Sequence, residues 1–209
     1  MIKKTIIIYL ITVLILGKCF AEEFNGLFVY CLDVGQGDAT VFTCNGYVMM
    51  IDGGDSSSSS FIYSYLRKTL GLSHIDAIIA THPHSDHVGG LAAALNACSV
   101  DVIYTPILEY NTRQWNSVLK YAELQGTPIV IPSYGEYFYL GDALVEILGP
   151  LRYNINLNNM SIIIKITFGE YSFLWMGDAE WEEEMDLLDS GFDLSADVIK
   201  IGHHGSNSS

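Results

Sequence analysis

The segment Thr81-His82-Pro83-His84-Ser85-Asp86-His87 constrains this chain more than any other feature, because it gathers three imidazoles and a carboxylate into six consecutive positions. In an extended loop, residues two apart project to the same side. His82 and His84 can therefore reach one metal ion while Asp86 and His87 turn toward a neighbouring position. Five of the six histidines lie in this segment or in His203-His204, and only His74 stands elsewhere. The alternative, a histidine-rich surface loop, gives no reason for that concentration in an acidic chain.

The flanking residues say what carries the segment. Residues 75–80 form a short uninterrupted apolar run, the mark of a strand covered on both faces, and 89–97 read as an alanine-rich helix, so the histidines sit on a strand-to-helix loop. Upstream, 26–33, 39–44 and 47–51 read as strands parted by glycine turns. The serine tract 56–60 reads as a flexible loop leading into a helix over 61–70, ended by Gly71. Downstream the pattern predicts strands at 100–104, 128–131, 143–148, 161–168, 171–176 and 197–201, with helices at 113–125 and 180–190. Tyr134, Tyr137, Phe138 and Tyr139 read as an aromatic strand packing on the core rather than as a substrate entrance. This order fits an α/β architecture of sheets between outer helices better than one doubly wound sheet.

Other strand ends carry compatible donors. Asp178 follows the apolar strand 171–176; it can bridge two cations, or cap the acidic helix behind it. His203 and His204 close the strand 197–201, and since neighbours on a strand point oppositely, one is expected to meet metal while the other orients it or touches substrate; spacing does not choose between them. Asp52, in Asp52-Gly53-Gly54, is either a turn residue or a carboxylate that accepts the free ring N–H of a ligand histidine.

Lys3 and Lys4, an apolar run over 6–16 and Cys19-Phe20-Ala21 have the layout of a secretory signal peptide cleaved near Ala21, leaving one domain over 22–209 that is secreted or periplasmic. A retained anchor would need a longer apolar run, and Lys18 is an awkward neighbour for lipidation of Cys19. Cleavage removes three lysines and no acid, taking the net charge from −14 to −17. Such a surface repels duplex nucleic acid, which binds through Lys and Arg. No membrane partner is expected after cleavage, and composition leaves the oligomeric state open. Cys31, Cys44 and Cys98 remain; Cys31 and Cys44 would suit a disulfide across two adjacent strands.

Together His82-x-His84-x-Asp86-His87, Asp52, Asp178 and His203-His204, in this order, resemble the metallo-β-lactamase fold superfamily. Residues 33–39 (Asp-Val-Gly-Gln-Gly-Asp-Ala) and 197–206 (Asp-Val-Ile-Lys-Ile-Gly-His-His-Gly-Ser) look like the branch containing the soluble hydrolase domain of ComEC-type DNA-uptake proteins and bacterial phosphorylcholine esterases. The resemblance covers about 27–207. It implies a four-layer αβ/βα sandwich with one or two ions, Zn2+ or else Mn2+ or Fe, held at one edge by His82, His84, Asp86, His87, Asp178 and His203 or His204. Two departures stand out: Asn158-Asn159-Met160-Ser161 replaces a histidine that other members often supply, and relatives run on past His-His-Gly-Ser to a further histidine, so a C-terminally truncated domain is expected. The implied chemistry is hydrolysis by a metal-bound hydroxide, with Asp86, His203 and His204 as catalytic groups. The implied substrate is a small phosphodiester or single-stranded nucleic acid, with a β-lactam or thioester as the competing enzyme reading. A catalytically impaired metal-binding or recognition module is the non-enzymatic alternative.

Overall fold

Residues 26–209 are described by a computed structural model; the leader expected over 1–21 lies outside the described residues. Strands β1 (Leu27–Cys31), β2 (Thr40–Cys44) and β3 (Tyr47–Ile51) form an antiparallel meander. The β2–β3 turn is Asn45-Gly46, both at positive φ, the two-residue hairpin turn whose twist matches that of the strands. Strands β4 (His74–Ile79), β5 (Ser99–Tyr104) and β6 (Ile129–Val130) then add in parallel, giving a six-stranded sheet in the order β1 to β6. Parallel neighbours need crossovers, and helices α1 (Ser59–Ser64), α2 (Ser85–Val88), α3 (Leu91–Ala97) and α4 (Arg113–Gln125) supply them. The second sheet holds β7 (Tyr137–Leu140), β8 (Ala143–Gly149), β9 (Ile163–Phe168), β10 (Tyr171–Trp175) and β11 (Val198–Lys200), ordered β11-β10-β9-β8-β7. It is antiparallel except for the β10–β11 pair, whose crossover is α5 (Trp181–Asp189).

Three apolar clusters bind these elements into four layers. Between the sheets, Phe42, Met49, Ile51 and Ile79 meet Val145, Ile147, Ile164 and Trp175, with Phe42 edge-on to Trp175 at 5.0 Å between ring centroids. On the outer face of the first sheet, Met50 and Ile78 pack under Ile62, Leu91, Trp115 and Val118 of the helices. On the outer face of the second, Leu148, Ile163 and Leu174 pack under Leu187 of α5. The αβ/βα sandwich is the architecture expected.

Several local expectations change. The serine tract is helical from Ser56: Asp55 accepts the Ser57 N–H at 2.9 Å, a cap that starts a 3-10 turn running into α1, and the helix continues through a π turn at Tyr65–Thr69. The helix expected over 89–97 begins at Leu91, because Gly89-Gly90 separate it from α2. The Cys31–Cys44 disulfide does not form, and Cys31, Cys44 and Cys98, the cysteines among the described residues, are free. Register explains this: Cys31 faces Thr40 and Cys44 faces Leu27, so the two lie at opposite ends of the hairpin, on the order of 13 Å apart along the strand. The aromatic strand does form, and its period of two turns Phe138 and Leu140 inward while Tyr137 and Tyr139 stay exposed. Among the described residues, no helix is long and apolar enough to cross a membrane.

One buried carboxyl makes stability depend on pH. Glu183 of α5 is 1% exposed; its Oε1 accepts the Leu151 N–H at 2.8 Å, while Oε2 is buried with no hydrogen-bond partner. Burial, reinforced by the neighbouring Asp186 and only partly offset by the Leu151 N–H and Arg152, pushes its pKa from 4.5 up to about 7. The folded chain thus holds this proton more tightly than the unfolded one. The resulting stabilisation is full below pH 4.5 and is lost as pH rises through about 7. Glu183→Gln is expected to match the wild type in acid and to exceed it by about 2 kcal/mol near pH 8, read as a denaturant midpoint. Equal pH dependence in the two proteins would refute this.

Candidate metal centre

The carboxyl ends of β3, β4, β10 and β11 converge on one rim, where open α/β sheets place their ligands. Past the end of β3, Asp52 takes φ +55° and is 1% exposed. Its Oδ1 accepts the Thr81 N–H at 2.8 Å, and its Oδ2 accepts the Thr81 hydroxyl at 2.7 Å. The same Oδ2 lies 2.8 Å from His87 Nδ1. The second of the two readings for Asp52 is the observed geometry, since its carboxylate fixes the His87 ring.

Past the end of β4, His84 has extended backbone (φ −66°, ψ 150°) before α2 begins, so the loop presents its histidines as the alternation argument expects. His82 Nε2 and His84 Nδ1 lie 3.0 Å apart, with both nitrogens turned to one point. His82 is fully buried, and behind it Thr81 Oγ1 and Ser161 Oγ stand 3.1 and 3.4 Å from Nδ1. Ser161 also accepts the Asp178 N–H at 2.9 Å, so this serine, in the segment where other members often supply a histidine, braces two other donors.

Asp178 follows β10 and is 2% exposed. It does not cap α5, whose cap position is Glu180. Instead its Oδ2 lies 3.1 Å from His87 Nε2, 3.3 Å from His204 Nε2 and 3.8 Å from His82 Nε2. A single carboxylate oxygen thus faces imidazoles from both halves of the motif. His204 Nε2 is also 3.5 Å from Asp86 Oδ2, which places Asp86 at the open side of the cluster.

The structure separates the terminal pair of histidines. Both take left-handed φ, 38° and 52°, in a 3-10 turn rather than a strand, so the strand alternation argued from sequence does not apply. His204 points into the cluster. His203 Nδ1 lies 3.0 Å from Glu180 Oε1 and 2.7 Å from Ser208 Oγ, which assigns its ring to α5 and the chain end. Glu180 is held in turn by Asn156 and Asn158 at 2.8 and 2.7 Å. His74, at the start of β4, lies at the far end of the strand beside Asp101.

Two members of the cluster were not singled out from sequence. Asp38, from the glycine loop after β1, lies with Oδ1 3.6 Å from His204 Nδ1, and with His87, Asp178 and His204 it forms a group whose donor atoms all lie within 4.8 Å. Lys200, the last residue of β11, reaches Asp38 and Gly177 O and stands 3.5 Å from Asp178 Oδ1. The available signals were weak: an aspartate closing a glycine loop, and the one basic residue in an apolar strand ahead of His-His.

The donors fit divalent ions. Burial works against charging His87, yet Asp52 and Asp178 outweigh it and raise the His87 pKa to about 10. Burial and the neighbouring His87 charge hold His82 well below its ordinary value. For Asp178, burial favours the neutral acid, but the hydrogen bond and charge of His87 prevail and hold its carboxyl well below the usual range. His87 Nε2 is buried and faces Asp178 Oδ2 at 3.1 Å, while Nδ1 is satisfied by Asp52. A nitrogen oriented by a carboxylate on the opposite side of its ring and aimed at other donors is the arrangement of metal-ligating histidines. A divalent ion and a proton would compete for that nitrogen.

The chain belongs to the metallo-beta-lactamase superfamily, whose family model matches residues 32–209, a span that includes every donor named above. ComE operon protein 3 of Bacillus subtilis (strain 168) is 28% identical over 94% of this chain, and Recombination protein 2 of Haemophilus influenzae (strain ATCC 51907 / DSM 11121 / KW20 / Rd) is 29% identical over 85% of it. The matched parts are only 27% and 21% of those two proteins. These relatives support the branch indicated by the glycine loop and the His-His-Gly-Ser segment. A metallo-beta-lactamase crystal structure from Staphylococcus aureus subsp. aureus COL has a TM-score of 0.55 and 20% identity, covering 88% of this chain and 57% of that one, a likeness of fold.

Proposed function

We propose that this chain is an exported metal-dependent hydrolase acting on phosphodiesters, either small ones or single-stranded nucleic acid. The observation that carries the reading is Asp178 Oδ2, set within 3.8 Å of His82, His87 and His204 while Asp52 fixes the back of His87. His82, His84 and Asp178 would hold one ion, and His87, Asp178 and His204, with Asp38 or Asp86, a second; imidazole and carboxylate donors suit Zn2+, with Mn2+ or Fe also compatible. Bound ions would supply Lewis acidity toward a phosphoryl oxygen and a lowered pKa for water.

The chain's own residues take complementary roles. Asp86, on the open side, orients the attacking water and accepts its proton at a carboxylate oxygen. His204, with Nε2 3.5 Å from Asp86, would stand beside the oxygen on which charge develops, as a ligand to the ion there or, where no ion meets that nitrogen, as a hydrogen-bond donor. Asp52 keeps the His87 tautomer that leaves Nε2 free. Two bound cations at one rim would suit the anionic phosphate of a phosphodiester, and similarity to a protein named for recombination supports the same class. The acidic exterior disfavours long duplexes. Lys3, Lys4 and the apolar run behind them support export.

Metal content and hydrolysis of a chromogenic phosphodiester, measured on one preparation before and after chelation, test the proposal. Bound metal, turnover lost on chelation and restored by Zn2+ or Mn2+, and an exported form beginning at Glu22 are expected. Turnover that survives complete metal removal would sink the mechanism. Bound metal without hydrolysis of phosphodiester, lactam or thioester would instead favour a recognition module.

A further inference from the structure

We propose that the Lys200 ammonium is a resident cation in the half of the centre formed by Asp38, His87, Asp178 and His204, and that it sets how many metal ions the chain holds tightly. The proposal rests on the metal-centre reading above. Those four residues bring one donor atom each within 4.8 Å of one another, and two of the four are carboxylates. Lys200 engages both: it forms an ion pair with Asp38 Oδ2 and stands 3.5 Å from Asp178 Oδ1, while donating to Gly177 O. A group of donors suited to a dication therefore already has a monovalent cation built against it.

The ammonium is delivered rigidly. Lys200 pairs with Trp175 in the β10–β11 register, its carbonyl accepts the Met176 N–H at 3.2 Å, and its side chain is 16% exposed. It spans the two sheets at the rim, since Asp38 belongs to the loop after β1 and Asp178 to the turn after β10. A dication entering this half would meet a like charge at close range and compete with it for Asp38 and Asp178. The other half differs in degree: among the described residues no lysine or arginine pairs with His82 or His84, whose Nε2 and Nδ1 lie 3.0 Å apart with Asp178 Oδ2 3.8 Å from His82, although the Lys200 charge still bears on His82 from a greater distance. The first ion should thus bind between His82, His84 and Asp178, and the second should bind weakly while Lys200 keeps its place.

Zinc titration of the purified protein by calorimetry, with elemental analysis after dialysis, tests this without reference to activity. The wild type is expected to hold one ion tightly and a second at least about tenfold more weakly. Lys200→Gln should strengthen the second site by about tenfold or more, and Lys200→Arg, which keeps the charge, should not strengthen it. Circular dichroism checks that the variants fold. Two equally tight ions in the wild type would overturn the proposal by themselves, as would a Lys200→Gln second site no tighter than the wild type's. Absence of zinc from all three proteins would overturn the metal-centre reading instead, and this proposal with it.

Discussion

Asp178→Ala is expected to lower phosphodiester turnover on the order of a thousandfold, with the protein still folded. The size follows from geometry: one oxygen of this side chain faces His82, His87 and His204 within 3.8 Å, so its removal takes a shared ligand from both halves of the centre at once. It also removes one of the two carboxylates that keep His87 charged in the absence of metal. Asp178→Asn separates shape from charge. The amide fits the same space but is a much poorer metal ligand, and should lose nearly as much turnover as alanine. Either variant should bind zinc more weakly in the same titration. Turnover within tenfold of the wild type in Asp178→Ala would mean that the three imidazoles do not work through this oxygen.

The parts of the centre legible in the sequence were those whose geometry is local. His82 and His84 lie two residues apart on extended chain, so a spacing argument suffices for their common aim. Asp52 and Asp178 were found because each follows an apolar strand, and strand ends converge in layered α/β folds. The failures share a different cause. His203 and His204 were treated as strand residues, but two successive left-handed φ values turn the chain there, and the contacts of His203 with Glu180 and Ser208 show which ring leaves the cluster. Asp38 and Lys200 are brought together across two sheets from positions 162 residues apart, a pairing no local pattern encodes. The Cys31–Cys44 pairing failed on register: adjacency of strands was read correctly, but a five-residue hairpin places its two end residues on opposite ends. The serine tract was misread because composition was weighed over the single aspartate ahead of it, which is the cap that starts the helix.

Gly90→Ala is expected to destabilise the fold by about 3 kcal/mol or more, lowering Tm by roughly 6–12 °C, although its backbone suits alanine. Gly90 sits at φ −89°, ψ −9°, which any residue adopts, so the penalty is purely one of space. A methyl group there would overlap the Gly53 carbonyl, a backbone atom that cannot rotate away. The two strand-end loops are stitched at this point: Gly90 N–H donates to Gly54 O at 3.0 Å, Gly53 N–H to His87 O at 2.6 Å, and Gly54 N–H to Asp38 O at 2.7 Å. Relief of the overlap requires the 52–54 loop to move off the 87–90 loop, which draws Asp52 from His87 and shifts the glycine loop carrying Asp38. Activity should therefore fall further than the loss of folded protein explains. Gly126→Ala is the matched control, because Gly126 caps α4 at φ +73° with nothing within 4 Å of the added methyl. Its cost is conformational alone, about 1 kcal/mol, and it should leave zinc binding untouched. If Gly90→Ala melted within about 2 °C of the wild type, or no lower than Gly126→Ala, close backbone contact between the loops could not be what fixes Asp52 against His87.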